Sequence, residues 1–132
     1  MTIVVVGHGI YGTAMKTLMK MLIGEHPDYH FVDFAENDTI ESLTVKLETI
    51  IEVRTHEEVI FSVDLLGGTP FRVCAALSST HQNFVTLAGI NPTGLLEVAY
   101  SLDQGPETVV MQMLEASREG IIMFPESFRS QQ

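Results

Sequence analysis

The sequence predicts an α/β fold: a doubly wound, mainly parallel sheet in the order 2-1-3-4, with helices on both faces. Apolar, β-branched runs alternate about four times with amphipathic stretches, a pattern typical of strands joined by crossover helices. The chain has 132 residues, enough for one domain with its own core. No repeat, linker or low-complexity segment divides it, so we expect a single domain over residues 1–132. The predicted strands are Ile3–Val6, Tyr29–Phe34, Val59–Val63 and Phe84–Ala88.

Local residue patterns predict the helices that join these strands. Apolar residues at helical spacing indicate a first helix over Thr13–Ile23, and Gly24 is a suitable stop. Asp38 with Glu41 resembles a capping box, which would start a second, amphipathic helix that runs to about Val53.

Further helices and a last strand are predicted for the second half of the chain. Thr69 is placed to cap a third helix, which begins at Pro70 and runs to about Ser79. Two more helices are predicted at Thr93–Ser101 and Glu107–Arg118. A last short strand at Ile121–Phe124 and a polar tail from about residue 125 follow them.

Composition excludes several classes of protein. The net charge of −10 argues against general affinity for nucleic acid, whose phosphates would be repelled. No apolar run reaches the ~18 residues of a membrane span, and no basic stretch precedes the first strand as in a secretory signal. The single cysteine, Cys74, allows no intrachain disulfide and gives no metal cluster, so we expect a cytoplasmic protein that needs no metal or other cofactor.

Acidic residues are absent from two segments of this acidic chain. Met1–Ile23 has lysines but no Asp or Glu, and Leu65–Leu96 carries Arg72 as its only formal charge. These segments either form one face that tolerates an anion or are simply buried, and the charges alone leave both interpretations open.

His8 stands between two glycines directly after the first strand. A neutral imidazole can act as nucleophile, general base or metal ligand, and the flanking Gly7 and Gly9 let another molecule approach closely. Asp64 ends the third strand, which neighbours the first in the order 2-1-3-4, so the two loops should meet at the carboxyl edge of the sheet. Asp64 could then accept a hydrogen bond from one ring nitrogen of His8 and fix its tautomer.

The stretch "LLGGTPF" after Asp64 supplies a third part of the candidate site. Gly67 and Gly68 let backbone N–H groups turn toward one point, and Thr69 adds a hydroxyl. The helix from Pro70 presents its positive end to the same point. Such a loop can hold the oxygens of a phosphoryl group, although it lacks the lysine of a nucleotide-binding P-loop. An ordinary capped loop is the alternative interpretation.

Three stretches, "IVVVGHGIYG", "FSVDLLGGTPF" and "LAGINPTGLLEV", resemble in order and spacing the enzyme IIA domain of the mannose class of the bacterial sugar phosphotransferase system. The resemblance covers nearly the whole chain. It implies that His8 takes a phosphoryl group from the phosphorylated carrier HPr and passes it to a IIB protein. IIB then phosphorylates the sugar as membrane components IIC and IID bring it in. The site residues implied are His8, its orienting carboxylate Asp64, and, around the phosphoryl group, Gly9, Gly67, Gly68 and Thr69.

The resemblance also bears on assembly. Members commonly dimerise by pairing their last strand across subunits, and Ile121–Phe124 would be that strand, exchanged at the sheet edge of a homodimer. Some members carry tryptophan where this chain has Ile10 and Leu66, which concerns partner docking rather than the chemistry. Other members continue into a fused IIB domain, so for this chain we expect a separate IIB protein.

Other classes of protein fit parts of the pattern. The phosphoryl-carrier subunit of dihydroxyacetone kinase has a similar first domain, but it usually continues into further carrier domains and lacks the "GGTPF" loop. A flavodoxin-like module could bind a small ligand with His8 as a polar lining residue. A hydrolase that used His8 and Asp64 would lack a well-placed serine or cysteine nucleophile.

Overall fold

A sheet of four parallel strands in the order β2-β1-β3-β4 forms the centre of the protein. The structure is a computed structural model that describes residues 1–54 and 56–131. The strands are β1 (Thr2–His8), β2 (Tyr29–Phe34), β3 (Val59–Val63) and β4 (Phe84–Ala88). The strand order and the parallel pairing confirm the predicted fold class, and β1 extends beyond its predicted bounds at both ends.

Helices cover both faces of this sheet. They are α1 (Tyr11–Ile23), α2 (Ile40–Ile51), α3 (Gly68–Thr80), α4 (Pro92–Glu97) and α5 (Pro106–Glu119), with short 3₁₀ segments at Glu52–Arg54, Leu102–Gln104 and Glu126–Gln131. Helices α1, α4 and α5 pack on the face that receives Ile3 and Val5, whereas α2 and α3 pack on the face that receives Val4 and Val6. Because successive side chains of a strand point to opposite faces, a strand covered on both sides is apolar throughout its length.

The amino end of α2 differs from the prediction by one residue. Thr39 caps the helix: its side chain accepts a hydrogen bond from the Ser42 N–H at 3.1 Å, and Ser42 Oγ accepts one from the Thr39 N–H at 2.8 Å. The predicted capping pair of Asp38 and Glu41 is therefore wrong. Asp38 is engaged elsewhere, because its carboxylate accepts hydrogen bonds from Lys46 Nζ and from a backbone N–H of the preceding turn.

Helix α3 begins two residues before the predicted start. Its N-cap is Gly67, and Thr69 lies in the first turn without a capping hydrogen bond, so the predicted N-cap role of Thr69 is wrong. Gly67 and Gly68 have φ angles of 96° and 83°, values that favour glycine and let the chain turn into the helix ahead of Pro70. Pro70 then occupies the first turn, where its missing N–H breaks no intrahelical hydrogen bond.

The chain beyond β4 is less regular than predicted. Helix α4 ends at Glu97 rather than at Ser101, and Ile121–Phe124 form no strand in the part of the chain that the structure describes. A strand needs a neighbour for its backbone hydrogen bonds, and this segment pairs with none of the four strands. Its side chains are instead largely exposed, Phe124 to 91%.

Candidate active site

His8 is the last residue of β1, and its side chain is 44% exposed at the carboxyl edge of the sheet. The next residue, Gly9, has a φ of 64° and donates its N–H to the Phe34 carbonyl oxygen at 2.8 Å, which fixes the turn toward α1. The His8 ring meets the Phe34 ring edge to face, with the ring centroids 5.9 Å apart. Phe34 packs against the core between the sheet and the α2–α3 layer, so His8 lies on that side of the sheet.

Asp64 holds the His8 ring from the neighbouring strand. It directly follows β3, and its N–H donates to the Val6 carbonyl oxygen at 3.0 Å. Asp64 Oδ2 lies 2.7 Å from His8 Nδ1 and accepts the His8 backbone N–H at 2.9 Å, while Oδ1 accepts the Leu65 N–H at 2.9 Å. An ionised carboxylate can only accept hydrogen bonds, so Nδ1 carries the proton and Nε2 carries the free lone pair.

The diglycine turn faces the free nitrogen. A Cβ atom placed on Gly68 would lie 3.2 Å from His8 Nε2 and 3.1 Å from its Cε1, whereas one placed on Gly67 would meet nothing within 4 Å. Gly68 is the first residue of α3, a helix of 13 residues, so the unpaired N–H groups and positive end of that helix are directed at the region around Nε2. Such an arrangement favours a negatively charged group at this nitrogen.

The structure brings the predicted site residues together. His8, Asp64, Gly9 and Gly68 meet where the loops after β1 and β3 adjoin, with Thr69 in the first turn of α3. The roles that the sequence predicts for them in phosphoryl transfer stay predictions. The two acid-free segments turn out to be mixed: β1 is buried up to Gly7, β4 is partly buried, and the loops that follow β1 and β3 are exposed at the site.

Asp33 supports the site in a way that the sequence analysis missed. Its carboxylate accepts the Thr13 N–H at 2.8 Å and the Thr13 hydroxyl at 2.5 Å, so a residue of β2 caps the first turn of α1. Gly12 brings the same turn close to β2, because a Cβ there would lie 2.6 Å from the Val32 carbonyl oxygen. The start of α1, which follows His8 and Gly9, is therefore fixed to the sheet.

Tyr11 is a second residue that the sequence analysis did not identify. Its ring covers Gly7, where an added Cβ would lie 2.4 Å from Tyr11 Cδ1. Burial, and then the negative charge of Asp64, raise the pKa of the Tyr11 phenol above its usual value of 10.0. No spacing rule links Tyr11 to Gly7, so only the fold reveals this contact.

Exposed apolar side chains stand in the two loops that form the site. Ile10 is 72% exposed beside His8, and Leu66 is 76% exposed beside the diglycine turn. Leu65 lies next to Asp64 and is also exposed. Exposed apolar side chains in the same loops as a polar, reactive group are typical of a surface that another protein covers.

Comparison with known proteins identifies the family. The sequence model of the family described as "PTS system fructose IIA component" matches residues 2–114. The chain belongs to this family. It is similar to the sorbose-specific EIIA component of Lacticaseibacillus casei, with 34% identity over 99 residues that make up 75% of this chain and 72% of the relative. The family that the motifs predict is therefore confirmed.

Two further proteins extend the similarity along the chain. The mannose-specific EIIAB component of Escherichia coli (strain K12) is 31% identical over 127 residues, which cover 92% of this chain but only 39% of that protein. The crystal structure of phosphotransferase system component EIIA from Streptococcus agalactiae superposes with a TM-score of 0.85 at 26% identity, covering 93% of this chain and 96% of that one. This chain is thus a IIA component of a sugar phosphotransferase system.

All the candidate site residues of this IIA component lie within the matched range of residues 2–114. Membership gives the chain a phosphotransferase role in sugar uptake. Of the helices in residues 1–54 and 56–131, none combines the length and the apolar character needed to cross a membrane.

Proposed function

We propose that this chain, as a single IIA domain over residues 1–132, carries a phosphoryl group on Nε2 of His8. The group comes from phosphorylated HPr and passes to a IIB protein during sugar uptake, in the cytoplasm. The observation that carries the proposal is the pairing of Nδ1 with Asp64 at 2.7 Å, which leaves Nε2 as the nitrogen with a free lone pair on a ring that is 44% exposed.

No proton is transferred in the proposed step. The Nε2 lone pair forms a new N–P bond as the N–P bond of the donor phosphohistidine breaks, and the donor nitrogen keeps that electron pair. The His8 ring becomes cationic when Nε2 is phosphorylated while Nδ1 keeps its proton, and the Asp64 carboxylate stabilises this positive charge. Return of the lone pair to Nε2 when the IIB nucleophile attacks completes the cycle.

Backbone groups would hold the transferred phosphoryl group. The positive end of α3 and the turn at Gly67 and Gly68 offer N–H donors next to Nε2, and the open space at Gly9 lets the donor approach. The Thr69 hydroxyl adds a further donor from the first turn. Phosphoryl transfer between histidines depends mainly on such positioning and charge stabilisation, which these residues provide without a metal.

A labelling experiment tests the proposal. Incubation with enzyme I, HPr and phosphoenolpyruvate should give an acid-labile phosphate on the wild-type protein and none on a His8→Ala variant. His56→Ala is the matched control, because His56 is exposed in the loop before β3, at the opposite end of the sheet. NMR of the labelled ring should place the phosphorus on Nε2. Labelling of His8→Ala at the wild-type level would reject the proposal.

The proposal includes a homodimer. The exposed apolar segment at Ile121–Phe124 and the free edge of β4 in the single chain support pairing with a second copy. Sedimentation equilibrium should find a dimer for the wild type and a monomer for Ile122→Asp, because a charge at Ile122 cannot be buried without a partner. Met21→Asp, an equally exposed site on α1, should leave the dimer intact. A monomeric wild type would contradict this part of the proposal.

A further inference from the structure

Arg72 lies one helical turn beyond Gly68 on α3. Four residues along a helix correspond to about 6 Å along its axis, so Arg72 stands close to the turn at Gly68. Side chains of a helix also lean toward its amino end, so the long side chain of Arg72 can extend back toward the turn that contains Gly68. Gly68 is the residue whose Cβ would lie 3.2 Å from His8 Nε2. The exposed guanidinium of this long side chain can therefore extend toward a group attached to that nitrogen.

The surroundings of Arg72 agree with this placement. Its side chain lines a groove of about 240 Å³ between α2 and α3, together with Ile40 and Thr44 of α2. Both helices begin at the carboxyl edge of the sheet, and His8 lies on the same side of the sheet as this groove. Arg72 and the imidazole therefore share one side and one end of the molecule.

The positive charge of Arg72 has no ion-pair partner among the side chains that the structure describes. Arg72 is exposed, and among the side chains that the structure describes it forms no ion pair or hydrogen bond. Lys46 and Lys20, by contrast, pair with carboxylates at 2.5 Å and 3.6 Å. Arg72 is also the only formal charge between Leu65 and Leu96, so no carboxylate on its own segment competes for it.

We propose, on the basis of the function proposed above, that the Arg72 guanidinium binds the oxygens of the phosphoryl group on His8 Nε2. The doubly charged phosphoryl group presents three acceptor oxygens, and the planar guanidinium can donate two parallel N–H bonds to them. Backbone N–H groups at the start of α3 would bind from one direction and Arg72 from the groove between α2 and α3. Arg72 thereby stabilises the phosphorylated carrier between its two transfer partners.

The protonation of the phosphoryl group itself tests this contact. The protein is phosphorylated with enzyme I, HPr and phosphoenolpyruvate, purified away from them, and titrated by ³¹P NMR. A guanidinium beside the phosphoryl group favours its dianion, so Arg72→Gln should raise the second pKa of the phosphohistidine by about one unit. Arg72→Lys should give a smaller increase, because an ammonium keeps the charge but loses the paired donors. Lys20→Gln, which removes one positive charge in the last turn of α1, should leave that pKa unchanged.

The outcomes separate this contact from the proposed function. If the wild type gives no phosphohistidine signal, the proposed function is wrong and the Arg72 contact is rejected with it. If the wild type is phosphorylated but Arg72→Gln has the same pKa, the contact alone is wrong. If transfer from HPr slows in Arg72→Gln while the pKa stays unchanged, Arg72 contacts the partner protein, and this result also overturns the proposal.

Discussion

Replacing Asp64 with asparagine should slow phosphoryl transfer from HPr to this protein by about 10²- to 10⁴-fold, as expected when a carboxylate that orients a histidine loses its charge. The amide would place either its oxygen or its nitrogen at the position of Oδ2. With oxygen there, Nδ1 keeps an acceptor but loses the negative charge that stabilises the cationic ring. With nitrogen there, the amide would point a donor at both the His8 backbone N–H and Nδ1–H.

Single-turnover measurements with phosphorylated HPr give the transfer rate, and thermal unfolding checks that the variant is folded. Glu36→Gln is the matched control, because it removes a carboxylate charge from the exposed turn after β2, at the same edge of the sheet. We expect its transfer rate to stay within about threefold of the wild type. Equal losses in the two variants would assign the effect to the general field of acidic residues rather than to the His8–Asp64 pair.

Much of the fold could be predicted because its signals are local. The strands β2, β3 and β4 are short, rich in β-branched and aromatic residues, and bounded by turns, so the sequence predicts their boundaries. The first residue of α2 is harder to predict, because Asp38 and Thr39 are both good capping residues. In the structure Thr39 caps the helix, and Asp38 pairs with Lys46, eight positions along the chain. A single-residue error at a helix start is the result of such competition.

In the candidate site, contacts that follow from the strand order could be predicted, whereas contacts that depend on how the helices pack could not. Strand order alone brings His8 and Asp64 to one edge, so their contact could be expected from the sequence. The cap that Asp33 provides for Thr13 joins residues 20 positions apart and follows from how closely α1 packs on β2. Ile121–Phe124 have the composition of a strand, but strand formation depends on a neighbour, which the sequence of a single chain does not specify.

Gly68→Ala should reduce the rate of phosphoryl acceptance by at least about 10²-fold, the loss expected when a reacting group is displaced by about 1 Å. The added methyl group would lie 3.2 Å from Nε2, inside the space that the incoming phosphorus must occupy. The φ angle of 83° also strains any residue with a Cβ, which should lower the free energy of unfolding by about 1–2 kcal/mol. The strain and the obstruction are separate effects and need a control that isolates one of them.

Gly89 supplies that control, because its φ angle is 81° and a Cβ there would meet nothing within 4 Å. It follows β4 at the same edge of the sheet, so Gly89→Ala should show the same loss of stability in urea denaturation with a nearly wild-type transfer rate. Equal transfer rates in the two variants would mean that the phosphoryl group does not enter past Gly68. Labelling of Gly68→Ala at Nδ1 would mean that the ring can turn away from Asp64, and the assignment of Nε2 would then be wrong. A slow Gly68→Ala beside a normal Gly89→Ala, with the label on Nε2, is the result expected when the attacking nitrogen is the one that faces the start of α3.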